Sequence, residues 1–343
     1  MDLKNKTWKE FFLSDLFTDI LRGKRLKKAD HKKGTTPYVS STLFSNGVDG
    51  FIGNNEKVRI FNNCLSLANS GSVGSTFFHP YKFVASDHVT KLENEKFNKY
   101  IYLFISNIIS RLGEKYGFNR EINDYRISRE KIMLPVTKSC KPDYNFMEQY
   151  MKKKEQEKIE AYKKFIAKRV KDLESVKDVE SLSEKEWGEF FIEDVAEILS
   201  GKDIYEAERF KGNTPYISAT AQNNGIGHFV GNKNQTLEQY CLSVNRNGSV
   251  GYSFYHTYKA LFSNDCRKLR LKNPNKYVGI FISQQITKQR GKYGYGYKMG
   301  TARLKRQKIV LPIDKNGNPD YEYMENYMKR IELEKLRKYL EIK

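Results

Sequence analysis

The chain is written twice. Trp8-Lys9-Glu10-Phe11-Phe12 returns as Trp187-Gly188-Glu189-Phe190-Phe191, and Thr36-Pro37-Tyr38-Val39-Ser40 returns as Thr214-Pro215-Tyr216-Ile217-Ser218. Asn46-Gly47-Val48 with Phe51-Ile52-Gly53-Asn54 reappears as Asn224-Gly225-Ile226 with Phe229-Val230-Gly231-Asn232. Gly71-Ser72-Val73-Gly74 matches Gly248-Ser249-Val250-Gly251, and Leu134-Pro135-Val136 matches Leu311-Pro312-Ile313. The offset hardly changes along the chain. Chance does not keep so many matches in register, so the fold is restricted to two copies of one unit.

Each copy has the same layout. Asn46-Gly47 and Asn224-Gly225, flanked by strand-like residues, signal tight turns. The two Gly-Ser-Val-Gly loops join short strands, Leu65-Ser66-Leu67 to Thr76-Phe77-Phe78 and Leu242-Ser243-Val244 to Ser253-Phe254-Tyr255. The pattern predicts a helix over Tyr100 to Leu112 and its counterpart over Tyr277 to Arg290. Each unit closes on a strand ending in Leu134-Pro135 or Leu311-Pro312.

Then the pattern becomes helical. Asp143 and Asp320 each follow a proline and stand where helix N-caps belong. From Asp143 to about Val179, the residues Ile159, Tyr162, Ile166, Leu173 and Val176 recur at helical spacing, with Lys and Glu between them. After Asp320 the same holds for Met324, Tyr327, Ile331 and Tyr339. These heptad-like stripes predict that the two helices pair with each other, antiparallel, across an approximate two-fold axis. The expected class is α+β: two tandem pseudo-symmetric domains, residues 1–142 and 181–319, each a twisted, mostly antiparallel sheet plus helices. Residues 143–180 and 320–343 form the long helices of an antiparallel coiled coil.

Charge narrows the function. The chain carries 61 Lys and Arg against 41 Asp and Glu, a formal charge of +20. Residues 151–186 hold nearly balanced charges, so the excess belongs to the repeated domains. Such an unbalanced excess points to a polyanion. Phosphate contacts are expected from Lys24, Arg25, Lys27, Lys28, Lys32, Lys33, Lys115, Arg120 and Arg126 in the first copy, and from Lys202, Lys211, Lys288, Arg290, Lys292, Lys298, Arg303, Lys305 and Arg306 in the second. Base edges are usually read by Arg on guanine and by Asn or Gln on adenine. The candidate readers are therefore Asn69, Ser70, Asn119 and Arg120 in the first copy, and Arg246, Asn247, Tyr295, Tyr297 and Lys298 in the second. Ser72 and Ser249, inside the glycine loops, complete the candidate DNA-binding set. Those loops either cradle phosphates with their N–H groups or are ordinary tight turns.

No catalytic set accompanies these residues. There is no phosphate loop of the G-x-x-x-x-G-K-[ST] type and no [DN]-P-P-[YFW] tetrapeptide. The Gly291 to Gly300 stretch lacks the context of a dinucleotide loop. His79 and His256 occupy equivalent places beside aromatic residues, and a structural role is expected for both. Cys64, Cys140, Cys241 and Cys266 have no zinc-ligand spacing and are expected to be reduced thiols. No apolar run is long enough for a membrane helix and Met1 to Lys9 are polar, so a cytoplasmic location is expected.

The duplicated order of motifs resembles the specificity subunit of Type I restriction-modification enzymes. That order is an early Trp-x-x-Phe, a Thr-Pro-Tyr-[Ile/Val]-Ser strand, a Ser45-Asn46-Gly47 or Asn223-Asn224-Gly225 turn, a Gly-Ser-Val-Gly loop, a closing Leu-Pro and a long helix. The ending Pro142-Asp143-Tyr144 with Met147-Glu148-Gln149-Tyr150, repeated as Pro319-Asp320-Tyr321 with Met324-Glu325-Asn326-Tyr327, is similar to specificity subunits of Type IIB systems. The resemblance covers essentially the whole chain. It implies two target-recognition domains reading the halves of a split, asymmetric site in double-stranded DNA. It also implies helices that set the gap and dock two DNA adenine methyltransferase subunits, with room for a restriction subunit. S-adenosylmethionine would then sit on those partners, and this chain would hold no cofactor, no metal and no catalytic residue. Two other readings stay open from residues alone: a self-contained DNA methyltransferase or nuclease, and a non-catalytic DNA-binding adaptor.

Overall fold

A computed structural model describes residues 2–116, 120–294 and 296–342. The chain forms two compact units, residues 1–162 and 163–343.

In the first unit, β1 (Trp8–Phe12) leads into a single helical turn, α1 (Leu13–Leu16), and then β2 (Asp19–Arg22). β3 (Lys33–Val39), β4 (Val48–Ile52), β5 (Ile60–Phe61), β6 (Cys64–Ala68), β7 (Thr76–His79), β8 (Phe83–Ala85) and β9 (Val89–Glu93) follow. α2 (Lys99–Ile109), α3 (Asp124–Arg129) and β10 (Lys131–Pro135) close the domain, and α4 (Tyr144–Leu173) leaves it. One sheet runs β2-β9-β6-β7, a second runs β4-β3-β8-β5, and β1 pairs with β10 as a ribbon. The sheets are antiparallel as expected except where β3 lies parallel to β8.

The turns form for the reasons read from sequence. Ser45, Asn46 and Gly47 take φ 49°, 54° and 82°, so the left-handed turn ends on the two residue types that tolerate it best. Asn98 caps α2 by accepting hydrogen bonds from the N–H groups of Tyr100 and Ile101. Ile101, Phe104, Ile105 and Ile109 then recur on one buried face, which packs with Leu65, Leu67, Leu92 and Leu134. Asp143 caps α4, accepting from the N–H of Phe146 at 3.0 Å. Met147, one turn on, is fully buried in the domain core.

The second unit repeats this. β11 (Trp187–Phe191), α5 (Ile192–Val195), β12 (Ala196–Ser200), β13 (Lys211–Ile217), β14 (Ile226–Val230) and β15 (Cys241–Asn245) lead to β16 (Ser253–His256). β17 (Leu261–Phe262), β18 (Cys266–Leu271), α6 (Lys276–Lys288), α7 (Thr301–Lys305), β19 (Lys308–Pro312) and α8 (Tyr321–Ile342) complete it. Its sheets run β12-β18-β15-β16 and β14-β13-β17, with the ribbon β11-β19. Asp320 caps α8 through the N–H of Tyr323 at 2.9 Å. Both Pro-Asp pairs are therefore helix starts.

Within this unit the last turns of α4 run antiparallel to α8. Arg169 donates to Glu332 at 2.8 Å, while further along Lys177 reaches Glu322 at 2.7 Å. Ile166 and Leu173, seven residues apart, are buried. Ile159 is half-buried, and Tyr162, expected on the same stripe, is 44% exposed. On α8, Met324 is fully buried, and Tyr327 and Ile331 are half-buried. One boundary differs from expectation: helix α4 stops at Leu173, not near residue 180. The chain beyond it is held in non-helical form by α8, where Tyr323 donates to the carbonyl of Glu180 and Arg330 to that of Val179. Those bonds satisfy carbonyls that a continuing helix would have bonded internally.

Glu332 is the polar centre of this pairing. It accepts from Arg169 and from the Tyr277 hydroxyl at 2.8 Å, with Lys276 at 3.5 Å. Burial pushes its carboxyl up, but the bonds from Arg169 and Tyr277 outweigh that and hold it at about 2. The stabilisation is therefore complete above the ordinary Glu range and is lost as pH falls toward 2. Glu332→Ala should cost about 1–3 kcal/mol near neutral pH, because Arg169 and Tyr277 are left partly buried without their acceptor. Urea unfolding at pH 7 and pH 3 checks this, since the deficit of the variant should shrink in acid.

Candidate nucleic-acid interface

In each unit the site is assembled around the glycine loop. In the first, the loop follows β6, and its N–H groups are used internally. Ser72 donates to the carbonyl of Ser41 at 3.1 Å, Val73 to Gly71 at 2.9 Å and Gly74 to Ala68 at 2.9 Å. In the second, Ser249, Val250 and Gly251 donate in the same way to Ala219, Gly248 and Asn245. Three of the four N–H groups of each loop are thus engaged within the fold, as in a tight turn. Gly74 needs its missing side chain: at φ 87°, a Cβ there would lie 2.5 Å from the nitrogen of Gly113. The loop is therefore wedged between Ser41 on one flank and the turn after α2 on the other.

Two sequence candidates are corrected by this packing. Asn69 is 1% exposed and Ser70 is 3% exposed. The Asn69 amide donates to Thr90 Oγ1 at 3.1 Å and to the Asp87 carbonyl at 3.2 Å, and the Ser70 hydroxyl pairs with His88. Both hold the frame from inside and leave no group turned outward to a base. In the second unit, Asn247 and Arg246 are both drawn to Asp265, which replaces His88 at the matching position. Ser72 and Ser249 are half-buried.

The cations behave differently. Lys24, Arg25, Lys27, Lys28, Lys32 and Lys33 are all exposed, and none forms an ion pair among the described residues. Lys28, Lys32 and Lys33 line a cleft of about 640 Å³ together with Ser41, Phe51 and His88. Ser41 and His88 are the residues that touch the glycine loop, so the cationic segment and the loop share one surface. The matching stretch of the second unit carries Asp203, Glu206 and Glu208 among Lys202, Arg209 and Lys211. The two copies thus differ in charge where they agree in fold.

The other cations gather on tyrosines beside the loop. In the first unit, Lys115 lies 5.5 Å and Arg120 5.2 Å from the Tyr116 ring centre. Tyr116 donates to buried Glu130, which also takes Lys115 at 2.8 Å. In the second, Tyr293 donates to Gln307 at 2.6 Å, Tyr297 stacks on Tyr293 at 5.6 Å, and Arg303 lies 4.0 Å from the Tyr297 ring. Tyr297 stays 53% exposed. Lys202, Lys292 and Lys298 are exposed. Asn119 and Tyr295 lie outside the described residues. Sequence reasoning missed Ser41, Phe51 and His88, whose role appears only when the cleft closes around them.

The second unit has a larger cleft, about 940 Å³, between β16 and α6, with Lys288 and Arg290 in its lining.

The two histidines are interior. His79 and His256 are fully buried, their Nε2 atoms 2.8 Å and 2.9 Å from the hydroxyls of Ser66 and Ser243. Burial pushes both imidazoles down to about 4. Cys64, Cys241 and Cys266 are buried free thiols pushed up to about 12, while Cys140 is free and exposed. No cluster of three metal-ligating side chains occurs among the described residues, and no helix there is long and apolar enough to cross a membrane.

The geometry is that of two similar basic modules, each presenting cations on tyrosine rings beside a tight loop. The chain belongs to the family of Type I restriction modification DNA specificity domains, matched at residues 5–161 and again at 184–343. It is 35% identical to the specificity subunit S.BcgI of a Type II restriction enzyme from Heyndrickxia coagulans, over 94% of each chain. Among solved structures it resembles the S subunit of a Type I restriction-modification system from M. genitalium, at 17% identity and a TM-score of 0.44, covering 99% of this chain and 94% of that one. It also resembles the HsdS subunit from Thermoanaerobacter tengcongensis, at 12% identity and a TM-score of 0.33, covering 97% and 91%. As a specificity subunit, this chain recognises DNA sequence and is the non-catalytic part of its system.

Proposed function

We propose that the two units read the two unlike halves of a split site in double-stranded DNA, and that helices α4 and α8 set the gap and dock methyltransferase subunits. The observation that carries this is the combination of a duplicated frame with divergent surfaces. The glycine loop, caps and ribbon are kept in both copies. The largely exposed charged stretches 24–33 and 202–211 are not. A frame retained with altered contact residues suits two readers of different sequences. Two adenine methyltransferase subunits, each carrying its own S-adenosylmethionine, would supply the chemistry in the cytoplasm, with a restriction activity added in the assembled system.

Exchange of residues 8–134 for the corresponding domain of another specificity subunit should change one half-site and leave the other intact. Methylation mapping of DNA modified by the complex reads this directly. A change at both halves, or at neither, would remove the assignment of one domain to one half-site.

A further inference from the structure

Phe51 and Phe229 are exposed where an aromatic ring has no packing duty. Phe51 is 63% exposed and Phe229 is 58% exposed. They occupy the same register, Phe51 opposite Pro37 and Phe229 opposite Pro215. Each lies on an edge strand, β4 or β14, at the border of its sheet. The two residues before it have diverged: Asp49-Gly50 in one copy stands against Gly227-His228 in the other. Core packing does not account for keeping an exposed phenylalanine through that divergence. A surface role common to both domains does.

Charge selects the partner. Lys33 and Lys211 pair across each hairpin with the residue that follows the phenylalanine, Ile52 and Val230. Neither lysine forms an ion pair among the described residues. In the first unit Phe51 shares its cleft with Lys28, Lys32 and Lys33. An exposed ring beside unpaired cations matches a stacked base beside its phosphates.

We infer that Phe51 and Phe229 are matching aromatic wedges, each of which inserts against a base step of its own half-site and partly unstacks it. This rests on the DNA-reading function proposed above. Every base presents a π face, so stacking tolerates any sequence. That explains why the two phenylalanines are alike while the neighbouring polar residues are not: the wedge positions, and the divergent residues discriminate. Apolar side chains inserted between base steps commonly act in this way.

The test uses the full chain and a duplex recovered by selection from a random pool, with 2-aminopurine placed at each step of both half-sites in turn. The expected result is a fluorescence rise at a step in each half-site on binding. Phe51→Ala should abolish the rise in one half-site and Phe229→Ala in the other, each weakening binding by ten- to a hundredfold. Phe51→Trp should keep the fluorescence rise in its half-site and the affinity of the parent chain. Because the rings are exposed, the alanine variants should melt like the parent chain. Unchanged fluorescence and affinity in the variants would overturn the wedge while leaving DNA recognition intact. Loss of methyltransferase docking with unaltered DNA binding would instead assign these rings to a protein surface. A parent chain that bound no DNA would sink the underlying function itself.

Discussion

Replacing Lys24, Arg25, Lys27, Lys28, Lys32 and Lys33 with glutamine should flatten the salt dependence of DNA binding. Each phosphate contact removed lowers the slope of log affinity against log salt by about 0.9, so a decrease of roughly 3 to 5 is expected. Affinity near physiological salt should drop on the order of a hundredfold or more. The physical basis is that these six side chains are exposed and free of ion pairs among the described residues, and that Lys28, Lys32 and Lys33 line one cleft. Their removal costs the fold little, so thermal melting serves as the control. Replacing Lys202 and Lys211 in the second unit should reduce the slope by less than about 2, because only two cations are removed there. Binding titrations across a salt series measure both. An unchanged slope in the six-fold variant would place the DNA path elsewhere.

Acid should unfold both domains earlier than their carboxylates alone would. His79 and His256 have ordinary imidazole values when unfolded and about 4 when folded. The folded state therefore resists protonation. Stability is fully present above about pH 6.5 and falls as pH drops toward 4, where each histidine has withdrawn roughly 3 kcal/mol. Gln at each position keeps a hydrogen-bonding group toward Ser66 or Ser243 but cannot titrate. The His79→Gln and His256→Gln variants should thus lose less stability between pH 7 and pH 4.5 than the parent, each in its own domain. Urea midpoints at the two pH values test this, and parallel losses in parent and variant would contradict the buried, neutral imidazole.

Much of the fold was legible because the duplication supplied two readings of every signal. Asn46-Gly47 and Asn224-Gly225 mark turns by local conformational preference, and Asp143 and Asp320 mark helix starts by capping. Such features depend on near neighbours in the chain. The end of α4 was not legible, because carbonyl acceptors on residues 179 and 180 are taken by Arg330 and Tyr323, far along the sequence. The site divides in the same way. Exposed lysines could be picked out from composition, since charged side chains stay in water. Asn69 and Ser70 could not be placed, since a polar residue in a loop faces inward or outward according to partners such as Thr90 and His88. Phe51 resembled any other strand residue until its edge position was known.

The ribbons β1-β10 and β11-β19 have a consequence for how such a chain changes over time. Trp8 lies opposite Pro135, and Trp187 opposite Pro312, so the polypeptide enters and leaves each domain through adjacent strands. Each domain hangs on its helix by a clasp whose two halves are neighbours in space though far apart in sequence. A genetic crossover at both halves of a clasp would replace everything between them as a cassette. The helix caps at Asp143 and Asp320 would be untouched, so a new specificity could be acquired in one event without rebuilding the scaffold that carries it.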